Sequence, residues 1–268
     1  MSPTGLKKGG GTPASSVITC GLDIGSVMAK AVVMAGGRVL GRAARPTGTD
    51  IPRVAEQIAT EALEQAGQTL RDVSRFVATG YGRVNVPLAD KQVTEITCCA
   101  RGVHHLYPAA RTVIDIGGQD TKVIRLDDQG RVVNFGMNDK CAAGTGRFLE
   151  VAAQTLGVSV EDLGELSLKS QHPASMSSTC TVFAQSEIVS LIMQKALVVD
   201  IIAGLHQAIV NRVFGLASSV GLKEAYIMVG GVAQNTGVVR AMAARLGRPL
   251  HVPEAPQYVV ATGAALTA

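Results

Sequence analysis

Residues 17–40, VITCGLDIGSVMAKAVVMAGGRVL, decide the fold, because a later stretch of the chain repeats their pattern. That stretch, residues 112–133, reads TVIDIGGQDTKVIRLDDQGRVV. When Asp23 is placed on Asp115, the Asp-Ile-Gly turns and the next lysines coincide, and the Gly-Arg pairs follow after one residue of slack. Each stretch predicts an apolar strand, a turn, a second strand and a glycine-centred hairpin that leads to a third strand.

A unit that occurs twice, each time followed by helical segments, predicts an α/β fold with two similar lobes related by pseudo-symmetry. We expect the first lobe at residues 17–108 and the second at residues 109–268, with a last helix that can return to the first lobe. Residues 1–16 are rich in Gly, Ser and Pro and lack an apolar stretch, so they predict a disordered leader. The cleft between the lobes is the natural ligand site.

Composition narrows the classes of partner. The net charge of +4 is mild, and the chain has no dense Lys/Arg run, so we expect no nucleic-acid partner. The longest apolar run, residues 190–205, contains Gln194, Lys195 and Asp200, and this predicts a buried helix rather than a membrane span. No signal peptide is recognisable, and five cysteines form no disulfide framework, so the expected compartment is the reducing cytoplasm.

Apolar periodicity and glycine stops predict the remaining elements. An amphipathic helix is expected at residues 51–67, a buried strand at 76–80 and a helix at 146–156 that ends at Gly157. One or two long helices are expected at residues 182–213, and a strand with a glycine turn at 225–231. Residues 237–246 and 258–268 are predicted to be helical.

The repeated Asp-x-Gly turns indicate phosphate chemistry. Each places a carboxylate at the end of a strand, where glycine lets backbone N–H groups approach a ligand, and a carboxylate there acts on phosphates through Mg²⁺ or a water. One such turn is usually an ordinary hairpin, whereas two in register predict a site. Gly230-Gly231 permits close approach of a base or ribose, or simply forms a tight strand-to-helix turn. Neither a GxxxxGK loop nor a GxGxxG loop precedes a helix.

Two cysteines lie in matching contexts. NDKCAAGTGRFLE, residues 138–150, and STCTVFAQSEIVSLI, residues 178–192, each place a thiol just before an apolar-periodic run. A helix N-terminus stabilises a thiolate through its dipole and its unpaired N–H groups. The alternatives are that Cys141 is an ordinary neighbour of an N-cap and that Cys180 is a packed core residue.

These segments carry a family resemblance. DIGSVMAK, DIGGQDTK and MVGGVAQN resemble the phosphate-1, phosphate-2 and adenosine segments of the actin, Hsp70 and sugar-kinase ATPase superfamily. With the two cysteine segments, the sequence closely resembles the iron–sulfur ATPases that activate 2-hydroxyacyl-CoA dehydratases, and the related ATPase subunits of benzoyl-CoA reductase. The resemblance covers nearly everything from Val17 to Ala268. It implies two actin-like, ribonuclease H-like ATPase lobes with a nucleotide cleft between them.

The resemblance also implies a homodimer, or a heterodimer of related subunits, that shares one 4Fe–4S cluster at its interface. Each chain supplies two cysteines, and the matching positions here are Cys141 and Cys180. A cubane cluster takes four thiolates, so two per chain require a twofold partner. Cys98 and Cys99 are adjacent, so their side chains diverge and cannot easily share one iron; we expect one in the core and one at the surface.

Between the lobes, the resemblance implies ATP or ADP with Mg²⁺. Asp115 or Gln119 would orient the attacking water. Lys30 and Lys122 either reach phosphate or pair with an aspartate on their own hairpins. The phosphate turns are represented by Asp23, Gly25, Ser26, Gly117 and Gly118, and the adenosine side by Gly230, Gly231, Asn235 and Gln257.

The implied activity is ATP-driven transfer of one low-potential electron. Hydrolysis or nucleotide exchange would rotate the lobes and open the dimer. The donor would be a reduced ferredoxin or flavodoxin, and the acceptor an iron–sulfur acyl-CoA dehydratase or reductase. A small-molecule kinase of the same fold, or an actin-like polymer, is the alternative from another class, but neither uses the two cysteines. The sequence does not identify the acyl-CoA substrate or the electron donor. It also leaves open whether the chain is an activator or a reductase subunit, and whether its dimer is a homodimer or a heterodimer.

Overall fold

A computed structural model describes residues 17–176 and 181–268, and the predictions for the leader at 1–16 and for Cys180 lie outside these residues. The first of two five-stranded sheets has the order β3-β2-β1-β4-β5 and contains β1 (Ile18–Ile24), β2 (Met28–Ala35), β3 (Arg38–Pro46), β4 (Arg75–Thr79) and β5 (Lys91–Gln92). The second has the order β10-β9-β6-β7-β8 and contains β6 (Thr112–Ile116), β7 (Thr121–Leu126), β8 (Val132–Asn138), β9 (Tyr226–Val229) and β10 (Leu250–His251). The predicted α/β fold is confirmed.

The strand pairing repeats between the two sheets. β1 and β2 are antiparallel with Asp23 opposite Lys30, and β6 and β7 are antiparallel with Asp115 opposite Lys122. A parallel strand flanks each hairpin on its other side, β4 beside β1 and β9 beside β6. The repeat found in the sequence therefore extends by one further strand in each sheet.

Eight α-helices are present among the described residues: α1 (Ile51–Gln65), α2 (Glu95–Leu106), α3 (Gly146–Leu156), α4 (Leu163–Ser167), α5 (Thr181–Met193), α6 (Val198–Val220), α7 (Thr236–Leu246) and α8 (Val259–Ala265). α1 buries the predicted apolar face against the first sheet. α3 ends where expected, with Gly157 in the left-handed conformation at φ 68°. A glycine there satisfies the last carbonyls of the helix without steric cost.

The one or two long helices predicted at residues 182–213 are two, so residues 190–205 are not one continuous buried helix. α5 ends at Met193, Lys195 adopts φ 62°, and α6 begins at Val198. Met193 and Leu197 are 78% and 64% exposed. A hydropathy pattern does not reveal that one residue has a left-handed backbone conformation, so it did not predict the break between α5 and α6. Within the described ranges, no helix is both long enough and apolar enough to cross a membrane.

α2 lies between the second sheet and α8, and α8 in turn packs against β1. Because α2 is covered on both sides, Cys98 and Cys99 are both fully buried, and the prediction that one of them lies at the surface is wrong. The two helices meet through glycines, since a Cβ on Gly263 would overlap the carbonyl oxygen of Cys98. The last helix thus returns to the first sheet, while the lobe boundary between residues 108 and 109 stays a prediction.

Candidate functional site

A cleft of about 640 Å³ lies between the two repeated hairpins. Ligand sites in proteins typically have volumes of this order. The predicted site residues that line it are Asp23, Gly25, Ser26, Lys30, Asp115, Gly117, Gly118, Lys122, Gly230, Gly231, Asn235 and Gln257. Residues from both halves of the chain therefore meet at one place, while their individual roles remain predictions.

Gln119 is the predicted cleft residue that the structure does not bring to this site. Its side chain is exposed and does not line the cleft, whereas the adjacent Asp120 does. Neighbouring residues of a tight turn point in different directions, and the sequence pattern does not reveal which of them faces inward. Asp120 forms an ion pair with Lys122, and this contact holds the Asp120 carboxylate on the cleft side.

Each aspartate of the repeat lies against a glycine of the neighbouring parallel strand. Gly80 follows β4 with φ 85°, and Gly230 follows β9 with φ 88°. A Cβ on Gly80 would lie 2.6 Å from Asp23 Oδ1, and a Cβ on Gly230 would lie 2.6 Å from Asp115 Oδ1. Only glycine combines this conformation with this approach. Aligning residues 76–80, FVATG, with residues 226–230, YIMVG, would have identified Gly80 from the sequence.

Both lysines of the repeat are engaged by carboxylates. Lys30 Nζ lies 3.2 Å from Asp23 Oδ2 and donates to the carbonyl oxygen of Met28 at 3.1 Å. Lys122 Nζ lies 2.8 Å from Asp120 Oδ1 and 3.2 Å from Glu95 Oε2. Of the two roles predicted for these lysines, the structure contains the ion pair with an aspartate on the same hairpin.

Glu95 is a cleft residue that the sequence reasoning missed. It is the first residue of α2, where the Thr94 side chain accepts the N–H of Thr97 as an N-cap. The capping pattern Thr-Glu before a helix was the available signal. Tyr81, Asp120, Glu150 and Glu161 also line the cleft without having been predicted.

Burial dominates the electrostatics of the cleft floor. It raises the pKa of Asp115 and of Glu95, and in each case the charge of Lys122 opposes this rise. Burial by itself would lower the pKa of Lys122, but Asp115, Asp120 and Glu95 reverse the effect and raise it. With Asp23 and Lys30 included, four carboxylates face two lysines, so phosphates would enter a site with excess negative charge.

A divalent cation fits this charge balance. No group of three or more His, Cys, Asp or Glu side chains in residues 17–176 and 181–268 is arranged to hold a metal ion. Mg²⁺ commonly binds through one or two carboxylates together with substrate phosphates and waters, because it dehydrates reluctantly. Asp23 and Asp115 are suited to that role, with the nucleotide supplying the remaining ligands.

Cys141 lies in the segment between β8 and α3. Its thiol is free and half-buried. It does not lie at the mouth of a helix as predicted, because α3 begins only at Gly146. Asn138 Nδ2 donates to the carbonyl oxygens of Cys141 at 3.0 Å and Ala143 at 3.3 Å, which orders the segment. The predicted second ligand, Cys180, is outside the described residues.

The first N–H groups of α3 bind the phosphate-2 turn instead of a thiolate. Gly146 N donates to the carbonyl oxygen of Gly117 at 2.9 Å, and Arg147 N donates to that of Gly118 at 2.8 Å. Thr121 Oγ1, at the start of β7, donates to the carbonyl oxygen of Gly144 at 2.6 Å. The start of α3 is thus hydrogen-bonded to the turn at Gly117 and Gly118, which lines the cleft, and the segment that carries Cys141 is hydrogen-bonded to the strand that follows this turn.

Comparison with known proteins gives evidence that is independent of the cleft geometry. The model of the BadF/BadG/BcrA/BcrD ATPase family matches residues 20–268. The chain is 48% identical over 254 residues to the 2-hydroxyisocaproyl-CoA dehydratase activator of Clostridioides difficile, covering 93% of this chain and 94% of that protein. It is 32% identical over 234 residues to a subunit of the benzoyl-CoA reductase of Thauera aromatica, covering 84% of this chain and 82% of that protein.

Solved structures give the same result. Component A of the (R)-2-hydroxyglutaryl-CoA dehydratase of Acidaminococcus fermentans superposes with a TM-score of 0.91 at 45% identity, covering 94% of this chain and 98% of that one. The Clostridium difficile activator with bound ADPNP gives a TM-score of 0.90 at 46% identity, covering 94% of each chain. A glucokinase of the ROK family from Streptomyces griseus, at 16% identity and a TM-score of 0.58, shares the fold alone.

Proposed function

Because the chain belongs to the BadF/BadG/BcrA/BcrD ATPase family, we propose that it is the ATPase that activates a 2-hydroxyacyl-CoA dehydratase in the cytoplasm by delivering a low-potential electron. The observation that carries the proposal is the 48% identity to a dehydratase activator over 93% of the chain. The identity to a benzoyl-CoA reductase subunit is lower, at 32%, and makes the reductase subunit the second candidate.

ATP binds in the cleft with its phosphates between the two Asp-Gly turns. The ADPNP bound to the similar C. difficile activator supports a nucleotide in this fold. Asp23 and Asp115 hold the Mg²⁺–phosphate unit, and Asp115 orients the attacking water. Gly230, Gly231 and Asn235 contact the adenosine side, where the two glycines have no side chains and admit a flat base.

Hydrolysis is coupled to Cys141 through the start of α3. The carbonyl groups of Gly117 and Gly118 accept the N–H groups of Gly146 and Arg147. When the turn shifts on loss of the γ-phosphate, these hydrogen bonds therefore shift the start of α3 as well. Thr121 and Gly144 form a second connection beside it. Hydrogen-bonded elements of this kind transmit small shifts because packed structure moves as a unit. Movement of the turn therefore displaces the segment that carries the thiol.

Cys141 and Cys180, with the same pair from a second protomer, would hold a 4Fe–4S cluster. The second protomer is a copy or a related subunit. When bound, the cluster supplies one-electron transfer from a ferredoxin or flavodoxin to the dehydratase. Cys141 contributes a free thiol from a hydrogen-bonded segment, and this supports its role as a ligand.

The test is ATP-dependent reduction of a purified 2-hydroxyacyl-CoA dehydratase by the protein prepared without oxygen. Wild type should reduce the dehydratase only with ATP, and Asp115→Asn should lose ATP turnover while keeping its iron. Asp127→Asn is the matched control, because Asp127 lies on the β7–β8 hairpin and pairs with Arg131 outside the cleft.

Cys141→Ser should lose iron and retain nucleotide binding. Full iron content in that variant would contradict the ligand assignment. ATP-dependent phosphorylation of a small molecule, without iron, would indicate the kinase alternative. Activity only with a benzoyl-CoA reductase would favour the second candidate.

A further inference from the structure

His206 is a buried histidine that the proposed mechanism does not use. It lies on α6, is 1% exposed, and its Nε2 is 3.4 Å from Nδ2 of Asn235. Asn235 lines the nucleotide cleft and is the N-cap of α7. We infer that His206 is a positioning residue that fixes the side chain of Asn235 for the nucleotide. The inference rests on the proposed nucleotide site.

The hydrogen bonds of Asn235 determine its orientation. Its Oδ1 accepts the backbone N–H of Val238 at 3.0 Å, in the manner of an N-cap. Only the amide oxygen can accept that hydrogen, so Nδ2 must point to His206. The amide group is therefore held from two sides, by the start of α7 and by the imidazole.

This orientation also determines the state of the imidazole. Nδ2 of Asn235 is a donor, so Nε2 of His206 must accept, and the proton must reside on Nδ1. The other tautomer, or the imidazolium, would place two donors opposite each other. Burial lowers the pKa of His206 to about 4, so the ring is neutral at physiological pH and can accept.

The ring packs closely against the start of α7. A Cβ on Gly237, in the first turn of α7, would lie 2.6 Å from Nδ1 of His206. Nδ1 has no hydrogen-bond partner in the part of the chain that the structure describes. Within these residues, the contact of Nε2 with Asn235 is therefore the hydrogen bond that orients the ring.

The same turn of α6 contacts the chain that leads towards Cys180. Ala174 N donates to the carbonyl oxygen of Asp200 at 2.9 Å, and a Cβ on Gly204 would overlap the carbonyl oxygen of Ala174. His206 follows Gly204 by half a turn. α6 therefore contacts, within one stretch, both the residue that faces the nucleotide and the segment at residues 174–176.

The experiment measures equilibrium nucleotide affinity for ADP and ADPNP in the cluster-containing dimer. His206→Leu removes the acceptor at similar volume and should weaken both nucleotides about three- to ten-fold, as expected for one neutral hydrogen bond. His206→Gln can present an amide oxygen to Asn235 and should restore most of the affinity. His104→Leu is the matched control, since His104 is also a helical histidine with an unpartnered Nδ1, but it lies against Gly130 of the β7–β8 hairpin rather than against a cleft residue.

A double-mutant cycle separates positioning from a general structural role. In an Asn235→Ala background, His206→Leu should cause no further loss of affinity, because its effect passes through the amide. Fully additive losses would overturn the inference. The KM for ATP should rise while kcat changes less than about two-fold.

The tautomer provides a test that needs no variant. ¹⁵N NMR of the wild-type protein should show His206 neutral with the proton on Nδ1, and a proton on Nε2 would overturn the inference even if His206→Leu does not fold. Failure of the wild type to bind nucleotide would instead refute the proposed function.

Discussion

Lys122→Met should destabilise the protein strongly, because it removes the cation that three carboxylates share. The lysine side chain is only 5% exposed and lies 2.8 Å from Asp120 and 3.2 Å from Glu95, with Asp115 paired opposite on β6. Methionine keeps the length and leaves the carboxylates uncompensated. Breaking a buried ion pair from one side costs about 3–5 kcal/mol. Asp120 and Glu95 keep about a quarter of their exposure, so we expect about 3 kcal/mol at neutral pH.

The loss should depend on pH with a defined sign. Burial already raises the pKa of Asp115 and Glu95 in the folded protein, and removing Lys122 raises both further. A carboxyl group whose pKa is higher in the folded than in the unfolded state binds a proton on folding, so its contribution falls as pH rises. The deficit of Lys122→Met should therefore be largest near pH 8 and at least about 1 kcal/mol smaller near pH 5.

Urea unfolding of the nucleotide-free protein at pH 5, 6.5 and 8 measures this deficit. Lys30→Met is the control, because Lys30 pairs with one carboxylate, Asp23, and should show a smaller deficit. Adding Glu95→Gln to Lys122→Met should recover part of the stability. A deficit below about 1 kcal/mol, or one that grows as pH falls, would refute the electrostatic account of the cleft floor.

Three other predictions follow from single positions. Gly263→Ala should lower the free energy of unfolding by about 3 kcal/mol or more in the same urea titration, because its Cβ would overlap the backbone of α2. Gly215→Ala is the control: it lies on α6 with open space around it and should be neutral or stabilising by about 0.5–1 kcal/mol. Glu95→Gln should reduce the kcat of ATP hydrolysis at least about ten-fold, because it removes one of the carboxylates that hold Lys122 in the cleft. Gln119→Ala should leave kcat within about two-fold, because Gln119 does not line the cleft, and equal effects of the two changes in a phosphate-release assay would contradict this difference in position. Burial lowers the pKa of His206 from 6.5 to about 4 in the folded protein, so protonation of this ring favours the unfolded state as pH falls. Between pH 6.5 and 4 the wild type should therefore lose up to about 3 kcal/mol of unfolding free energy that His206→Gln does not lose. Parallel stability curves for the two proteins would contradict the burial argument.

The sequence correctly predicted the elements whose conformation depends on residues close together in the chain. The two hairpins follow from strand-turn-strand patterns, and α3 ends at Gly157 because glycine tolerates the left-handed conformation. Predictions failed where an answer depended on one backbone angle or on a distant neighbour. Lys195 breaks an apolar run that hydropathy presents as continuous, and Cys99 is buried because α8 returns to cover α2.

The amino-acid sequence by itself determined the two Asp-Gly hairpins and the turn residues that they bring to the cleft, because a repeat and its turn glycines are encoded within short stretches. Only the tertiary structure decided which charges and hydrogen-bonding groups meet there. Glu95 reaches Lys122 from another helix, and His206 reaches Asn235 from α6. Such pairs join residues far apart in the chain, and their distances follow from how helices pack across the sheets rather than from any local period.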